Sequence, residues 1–178
     1  MDSRQREALF DSWTREHGAI LERAARVFAG ETDRDDLLQE LLLAVWRAIP
    51  AFRHDSKVST FLYRVAHNAA LTWIRARRSR PDLESEPLPE IADARSAGQL
   101  ADGESDDAGR LVRLYAAIQT LPEVDRSLVL LSLDGVSYAE IAALHGLSES
   151  NVGARLTRAR KTLARTLQPS APLTFKET

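Results

Sequence analysis

The stretch SYAEIAALHGLSESNVGARLTRAR, from Ser137 to Arg160, decides the fold of the C-terminal part of the chain. Its first residue and Glu140 have the spacing of a capping box, which predicts a short helix over Tyr138 to His145. Gly146 then ends that helix, and Ser148 caps a second one that runs to about Leu167. These two helices predict a helix-turn-helix with a small apolar centre. Its expected members are Ile141, Ala142, Leu147, Val152 and Leu156.

A helix-turn-helix that binds DNA presents the start of its second helix to base edges in the major groove. The residues expected at this edge are Glu149, Ser150, Asn151, Gly153 and Ala154. Arg155, Arg158 and Lys161 are expected where the phosphates pass. A helical hairpin without any DNA role is the alternative, and the basic residues after the turn make that alternative weaker.

Charge is distributed unevenly along the 178 residues, although the net charge is only -2. Residues 1–80 carry a net +3, residues 81–110 a net -7 and residues 111–178 a net +2. The stretches Ser56 to Pro81 and Asn151 to Gln168 contain several Lys and Arg and no acid. Each stretch could be an ordinary solvated helix face. Two such faces on either side of an acidic spacer favour a polyanionic partner.

Apolar periodicity predicts an all-α fold of two small helical domains joined by a flexible acidic linker. Residues 1–80 are expected to form a bundle of three helices, with Gly18 weakening or breaking the first. Residues 81–110 are rich in Pro, Gly and acids and predict the linker. Residues 111–168 are expected to form a four-helix domain, and 169–178 a short tail. The three N-terminal helices are predicted over Ser3 to Ala29, from a cap at Thr32 or Asp33 to Pro50, and over Ser59 to Arg78.

The third predicted helix mixes aromatic and cationic side chains, a combination that suits unstacked single-stranded bases. Phe61 and Trp73 are expected in the core of the bundle. Tyr63, His67 and Asn68 are expected at the surface.

Composition argues against an enzyme, a metal site and a cofactor. The chain has no Cys, so it lacks disulfides, thiolate metal sites and cysteine nucleophiles. Its four His are scattered, and it has no Gly-rich phosphate loop. No signal peptide or membrane-spanning run is evident, and no membrane insertion is predicted. A cytoplasmic protein is therefore expected.

Several motifs, in order along the chain, resemble the bacterial RNA polymerase sigma factors of the extracytoplasmic-function (ECF) group. They include DRDDLLQE (Asp33 to Glu40), STFLYRVAHN (Ser59 to Asn68) and GVSYAEIA (Gly135 to Ala142). The resemblance implies a non-catalytic factor that directs promoter-specific initiation. The partners it implies are the clamp and flap of core RNA polymerase and promoter DNA, and an anti-sigma factor is a candidate regulator.

The resemblance also implies roles for individual residues. The residues that it implies for contact with core polymerase are Asp36, Leu38, Gln39, Glu40 and Trp46. Recognition and melting of the minus-ten element falls to Phe52, Arg53, His54, Ser56, Lys57, Ser59, Thr60, Tyr63, Arg64, His67, Asn68 and Arg75. Reading of the minus-thirty-five duplex falls to Ser148, Glu149, Ser150, Asn151, Gly153, Arg155, Arg158 and Lys161.

The chain departs from the family pattern at a few of these positions. His54 stands where relatives frequently have Gly, and Gly153, Ala154 and Thr157 stand where they often have Lys, Ser and His. These departures affect which promoter sequence we expect the chain to recognise, and they leave its expected role as a sigma factor unchanged. Two rival interpretations are an autonomous helix-turn-helix regulator with an N-terminal effector domain and a helical adaptor without any nucleic-acid role.

Overall fold

A computed structural model describes residues 2–79 and 106–168. The helices are α1 (Ser3–Phe28), α2 (Arg34–Ala48), α3 (Val58–Arg78), α4 (Asp106–Gln119), α5 (Glu123–Leu133), α6 (Tyr138–His145) and α7 (Glu149–Leu167), and a 3₁₀ turn (Ile49–Ala51) follows α2. No strand occurs in these two ranges. The all-α prediction is confirmed.

Helices α1, α2 and α3 pack together and form the N-terminal unit. Leu37, Leu41 and Val45 of α2 are completely buried between the other two helices. Helical spacing in the sequence predicts an apolar stripe of Leu38, Leu41, Leu42, Val45 and Ile49. Leu41, Val45 and Ile49 are buried as expected, whereas Leu38 and Leu42 are only partly buried because Leu37 occupies the position facing the core. Helix α1 continues without a break through Gly18, since buried residues on both sides of it hold the helix in the bundle.

Helices α4 to α7 form the C-terminal unit, and the predicted helix-turn-helix is confirmed in α6 and α7. The Ser137 hydroxyl accepts from the Glu140 N–H at 3.3 Å, and the Glu140 carboxylate accepts from the Ser137 N–H at 3.1 Å. Gly146 ends α6 with a left-handed φ of 64°. Of the five residues predicted for its apolar centre, four are buried. The fifth, Leu147, is partly buried and packs against the core.

Helix α4 begins at Asp106, so the predicted end of the linker at residue 110 is wrong. Asp107 lies in the first turn of α4, where an acid interacts favourably with the helix dipole, so an acid at this point is compatible with a helix as well as with a linker. The rest of the predicted linker and the tail lie outside the described residues.

The two units contact each other directly, because α1 packs on α4 and α5, and α3 packs on α5. The Gln119 side-chain amide at the end of α4 donates to the Arg26 and Ala29 carbonyls, both at 2.7 Å. Gln119 therefore satisfies carbonyls that the end of α1 leaves without helical partners.

The two glycines Gly146 and Gly18 should respond in opposite ways to replacement by Ala. Gly146→Ala should lower the free energy of unfolding by roughly 1–2 kcal/mol, because a Cβ disfavours the left-handed conformation. Gly18→Ala should raise it by about 0.4–1 kcal/mol, because a Cβ there restricts the unfolded chain and meets no atom within 4 Å. Urea denaturation followed by circular dichroism measures both. Equal signs for the two variants would contradict this assignment.

Candidate nucleic-acid interface

The start of α7 is free to reach a ligand. Glu149, Ser150 and Asn151 are exposed. The exposed Ser148 caps the helix, since its hydroxyl accepts from the Asn151 N–H at 3.2 Å. The helix therefore presents a row of polar side chains in a fixed direction, as a reading helix requires.

Basic side chains continue along the exposed side of α7. Arg158, Lys161 and Arg165 line one shallow groove, and all three are exposed. Because these residues are three and four positions apart, they lie on one face of the helix. Such a face can hold several phosphates of a nucleic-acid backbone.

Arg155 and Gly153 are placed differently from the other predicted reading residues. The Arg155 guanidinium donates to the Asp125 carboxylate of α5 at 2.7 Å, and the two side chains are 27% and 19% exposed. Gly153 lies beside the Tyr138 ring, 3.6 Å from where a Cβ would sit. In the described arrangement Arg155 fixes α7 against α5, and Gly153 leaves room for a neighbouring ring.

A groove of about 850 Å³ runs between α2 and α3. Asp36, Gln39 and Glu40 are exposed along its α2 side, and Trp73 lines its α3 side. Leu43 also lines the groove and is 44% exposed. Leu43 is not among the residues that the sequence predicts to contact polymerase. The available signal was that it is an apolar residue outside the buried stripe of α2.

Trp46 and Leu38 do not line this groove. The Trp46 ring packs edge-on against Phe10 at 5.5 Å, and the Arg6 guanidinium lies 4.3 Å from its centre. The structure thus brings together three of the five residues predicted to contact polymerase. Trp46 instead joins α2 to α1.

The loop before α3 is anchored by an aromatic cluster. Phe52 packs against Trp13 at 5.1 Å and Phe61 at 5.0 Å, and Phe61 is buried as predicted. His54 has a left-handed φ of 59°, and its ring lies 4.6 Å from that of Phe52. Such a conformation favours Gly, which explains why a His here is a departure from the family pattern. The exposed residues of the predicted minus-ten set are Arg53, His54, Ser56, Lys57, Arg64, Asn68 and Arg75, while Phe52, Ser59, Thr60 and His67 are partly buried.

The expectation that Tyr63 lies at the surface is wrong, because the C-terminal unit covers it to 8% exposure. Its hydroxyl donates to the Asp134 carboxylate at 2.6 Å, and the Arg23 guanidinium lies 2.9 Å from the same carboxylate. Burial, and then the hydrogen bond to Asp134 and its charge, raise the pKa of the Tyr63 hydroxyl above its usual value. Asp134 lies 71 residues further along the chain, so no local pattern could predict this contact.

Two histidines meet where α3 faces α6. The His67 and His145 rings lie 4.5 Å apart, and the His145 Nε2 is 3.3 Å from the Ser127 hydroxyl of α5. Burial, followed by the His145 and Arg75 charges, lowers the pKa of His67 to about 4. Burial and then Arg155 lower the pKa of His145. Both rings are therefore neutral at pH 7.

The folded chain should lose stability as the pH falls from about 6.5 towards 4. The unfolded chain binds a proton at His67 in this range while the folded chain does not, so acid favours unfolding. In His67→Gln this part of the pH dependence should disappear, while the contribution of the carboxylates remains. Thermal unfolding of both proteins across the range measures the difference. Parallel curves for the two proteins would contradict the pKa shift.

Within the described residues, no group of three or more His, Asp or Glu side chains is placed to hold a metal ion. Among the helices of the same residues, none combines the length and hydrophobicity that a membrane span requires.

Two protein families match this chain, one in each of the two helical units. The family described as Sigma-70 region 2 matches residues 13–80, and the one described as Sigma-70, region 4 matches residues 111–163. ECF RNA polymerase sigma factor SigM of Mycobacterium tuberculosis is 32% identical over 160 residues, covering 89% of this chain and 76% of the relative. ECF RNA polymerase sigma-E factor of Escherichia coli is 33% identical over 143 residues, with 77% and 75% covered.

Two solved structures share the fold. CnrH, solved in complex with the cytosolic domain of CnrY, is 27% identical with a TM-score of 0.60, and the match covers 93% of this chain and 91% of CnrH. The sigma factor RpoE of Bartonella quintana, solved with the anti-sigma factor NepR, has a TM-score of 0.61 at 21% identity, with 90% and 99% covered.

Proposed function

The chain belongs to the ECF RNA polymerase sigma factors. We propose that three separate exposed surfaces bind core polymerase, the minus-ten element and the minus-thirty-five element of a promoter. The C-terminal unit reads the minus-thirty-five duplex, and the N-terminal unit opens the minus-ten element. The segment between residue 80 and the start of α4 at Asp106 separates these tasks. Polymerase performs the chemistry of RNA synthesis, and this chain supplies binding only.

The observation that carries the proposal is the helix-turn-helix in α6 and α7, with polar residues at the start of α7 and Arg158 and Lys161 exposed further along it. The polar residues suit base edges, and the two cations suit phosphates. An autonomous regulator with an unrelated N-terminal effector domain is not favoured, because the N-terminal half also matches a sigma factor region.

The α2–α3 groove is the proposed docking surface for core polymerase. Asp36, Gln39 and Glu40 supply a polar rim, and Leu43 supplies an apolar contact within it. Ala44, Val65 and Trp73 also line the groove, so Leu43 belongs to an apolar patch with a polar rim, which is typical of a protein-binding surface.

The loop from Phe52 to Ser59 and the exposed side of α3 are the proposed contact with the opened minus-ten strand. Arg53, Lys57 and Arg64 offer charge to its phosphates. Tyr63 and His67 offer rings on which an unpaired base can stack once they are accessible.

An anti-sigma partner is a further part of the proposal. The Bartonella quintana sigma factor of the same fold was solved with such a partner. The groove proposed for polymerase would be the surface over which the two partners compete.

Permanganate footprinting of polymerase reconstituted with this chain tests the proposed function. It should show unpaired thymines near the minus-ten element and protection of a duplex further upstream. Core enzyme alone is the control. Protection without unpaired thymines would contradict the role of the N-terminal unit in melting.

Arg158→Ala should weaken binding of the reconstituted polymerase to promoter DNA and reduce the slope of log affinity against log salt by about 1, because one phosphate contact is lost. Arg4→Ala, which removes an exposed cation from α1, is the matched control and should leave the slope unchanged. Fluorescence anisotropy at several salt concentrations measures the slope. Equal slopes for the Arg158 variant and the unaltered chain would show that Arg158 does not face the duplex.

A further inference from the structure

Tyr138, the first residue of α6, is a large aromatic side chain outside the buried centre of the helix-turn-helix. It is 38% exposed. The side chains that α6 and α7 bury are Ile141, Ala142, Val152, Leu156, Ala159 and Leu163. The Tyr138 ring is therefore available to a ligand, and the fold does not require it as part of the core.

The Tyr138 ring lies against the reading helix α7 at Gly153. A Cβ at Gly153 would sit 3.6 Å from the ring Cε2 and 3.9 Å from Cδ2, which is ordinary van der Waals contact. One turn further along the same face of α7, the Thr157 hydroxyl donates to the Gly153 carbonyl at 2.8 Å and so turns back towards the helix. Because Gly153 has no side chain and Thr157 has a short one, the ring stands at the edge of α7 that is proposed to face the bases.

The hydroxyl end of Tyr138 is held from the side opposite to the start of α7. The Arg160 guanidinium donates to the Tyr138 hydroxyl at 3.3 Å and to the Ser132 hydroxyl of α5 at 3.0 Å. Packing on Gly153 and this hydrogen bond together fix the direction of the ring. With its hydroxyl engaged by Arg160, Tyr138 offers its apolar ring carbons to a ligand.

We propose that Tyr138 reads a thymine of the minus-thirty-five duplex through the C5-methyl group, so that α6 contributes to base selection together with α7. This inference rests on the proposed function, since it names a base that the proposed reading surface selects. Among the four bases of DNA, only thymine presents a methyl group in the major groove, and apolar side-chain atoms recognise it by contact. Gly153 is then the position of α7 that leaves room for the ring beside the bases.

Replacement of thymine by deoxyuridine tests the proposal, because it removes the methyl group and leaves base pairing intact. Polymerase reconstituted with this chain first selects promoter-length duplexes from a library of random sequence. Each thymine of the enriched upstream block is then replaced by deoxyuridine, and affinities are measured by fluorescence anisotropy. At one position the replacement should weaken binding by about fourfold, as expected for the loss of one buried methyl group.

Tyr138→Ala should abolish this methyl effect, so that the thymine and deoxyuridine duplexes bind equally well. Tyr138→Gln, a second variant without an aromatic ring, should behave in the same way. Tyr138→Phe keeps the ring and should retain the effect. Val112→Ala is the matched control, because it removes an apolar side chain that is 55% exposed in the same unit but outside the helix-turn-helix.

A methyl effect of equal size in the Ala variant, the Gln variant and the unaltered chain would overturn the proposal. A uniform loss of affinity for both duplexes, with the methyl effect unchanged, would also overturn it, because Tyr138 would then act only on phosphates or on the fold. An upstream block in which no thymine responds to deoxyuridine would have the same consequence.

The selection step separates this outcome from the proposed function. If the unaltered chain enriches an upstream block and supports transcripts from it, but no methyl effect depends on Tyr138, only the role of Tyr138 is wrong. If the unaltered chain enriches no upstream block, the proposed function fails and the role of Tyr138 fails with it.

Discussion

Leu41→Ala should lower the free energy of unfolding by about 2–5 kcal/mol, because it leaves a cavity in the core of the N-terminal unit. Leu41 is completely buried where α2 packs against α1 and α3. Leu43→Ala, two residues further along the same helix, is the matched control. Its side chain is 44% exposed, and its loss should change stability by less than about 1 kcal/mol.

Chemical denaturation of the two variants measures this difference. Similar losses of stability in both would contradict the assignment of the α2 faces. Because residual structure in the unfolded chain also responds to such substitutions, the midpoint and the slope of the transition should be compared together.

Leu43→Asp should weaken binding to core polymerase by roughly 10–100-fold, because a central apolar contact of the proposed interface is replaced by a charge that must be desolvated. The fold should be retained, since the side chain projects into the open α2–α3 groove. Leu167→Asp introduces the same change at a leucine that is 41% exposed at the end of α7 and does not line this groove.

Competition with a labelled, unaltered chain for core enzyme measures the affinities of both variants. The control should compete almost as well as the unaltered chain. Equal competition by Leu43→Asp would show that polymerase docks elsewhere. Unfolding transitions of both variants then establish that lost binding does not arise from lost structure.

Local signals in the sequence were sufficient for the helices and for the helix-turn-helix. The capping box at Ser137 and Glu140, the turn at Gly146 and the cap at Ser148 all act over three or four residues, so they can be identified without tertiary information. In α2 the spacing predicted the burial of Leu41 and Val45 but chose Leu38 instead of Leu37, because adjacent leucines differ only in the direction they face.

Contacts between distant residues could not be predicted in this way. Tyr63 was expected at the surface, but it is buried and its hydroxyl donates to Asp134, which lies just after the end of α5. Arg155 shares the basic pattern of Arg158, but its partner Asp125 becomes apparent only when α5 packs against α7. A pattern specifies which face a residue occupies, whereas tertiary packing specifies what covers that face.

The linker illustrates a different source of error. Its acids were interpreted as part of an extended spacer up to residue 110, yet Asp106 and Asp107 start α4. Acidic residues are compatible both with a solvated linker and with a first helical turn. Only the apolar residues that follow these acids distinguish a linker from a first helical turn. The predicted boundary at residue 110 separates the acids from those apolar residues.

In vitro transcription with purified core RNA polymerase on genomic fragments tests the role of the chain as a promoter-recognising factor most directly. Addition of the chain should produce defined start sites that share two upstream sequence blocks, and these transcripts should be absent with core enzyme alone. A second sigma factor serves as the control that the core enzyme is active. If that active enzyme yields no start site that depends on this chain, the account is contradicted.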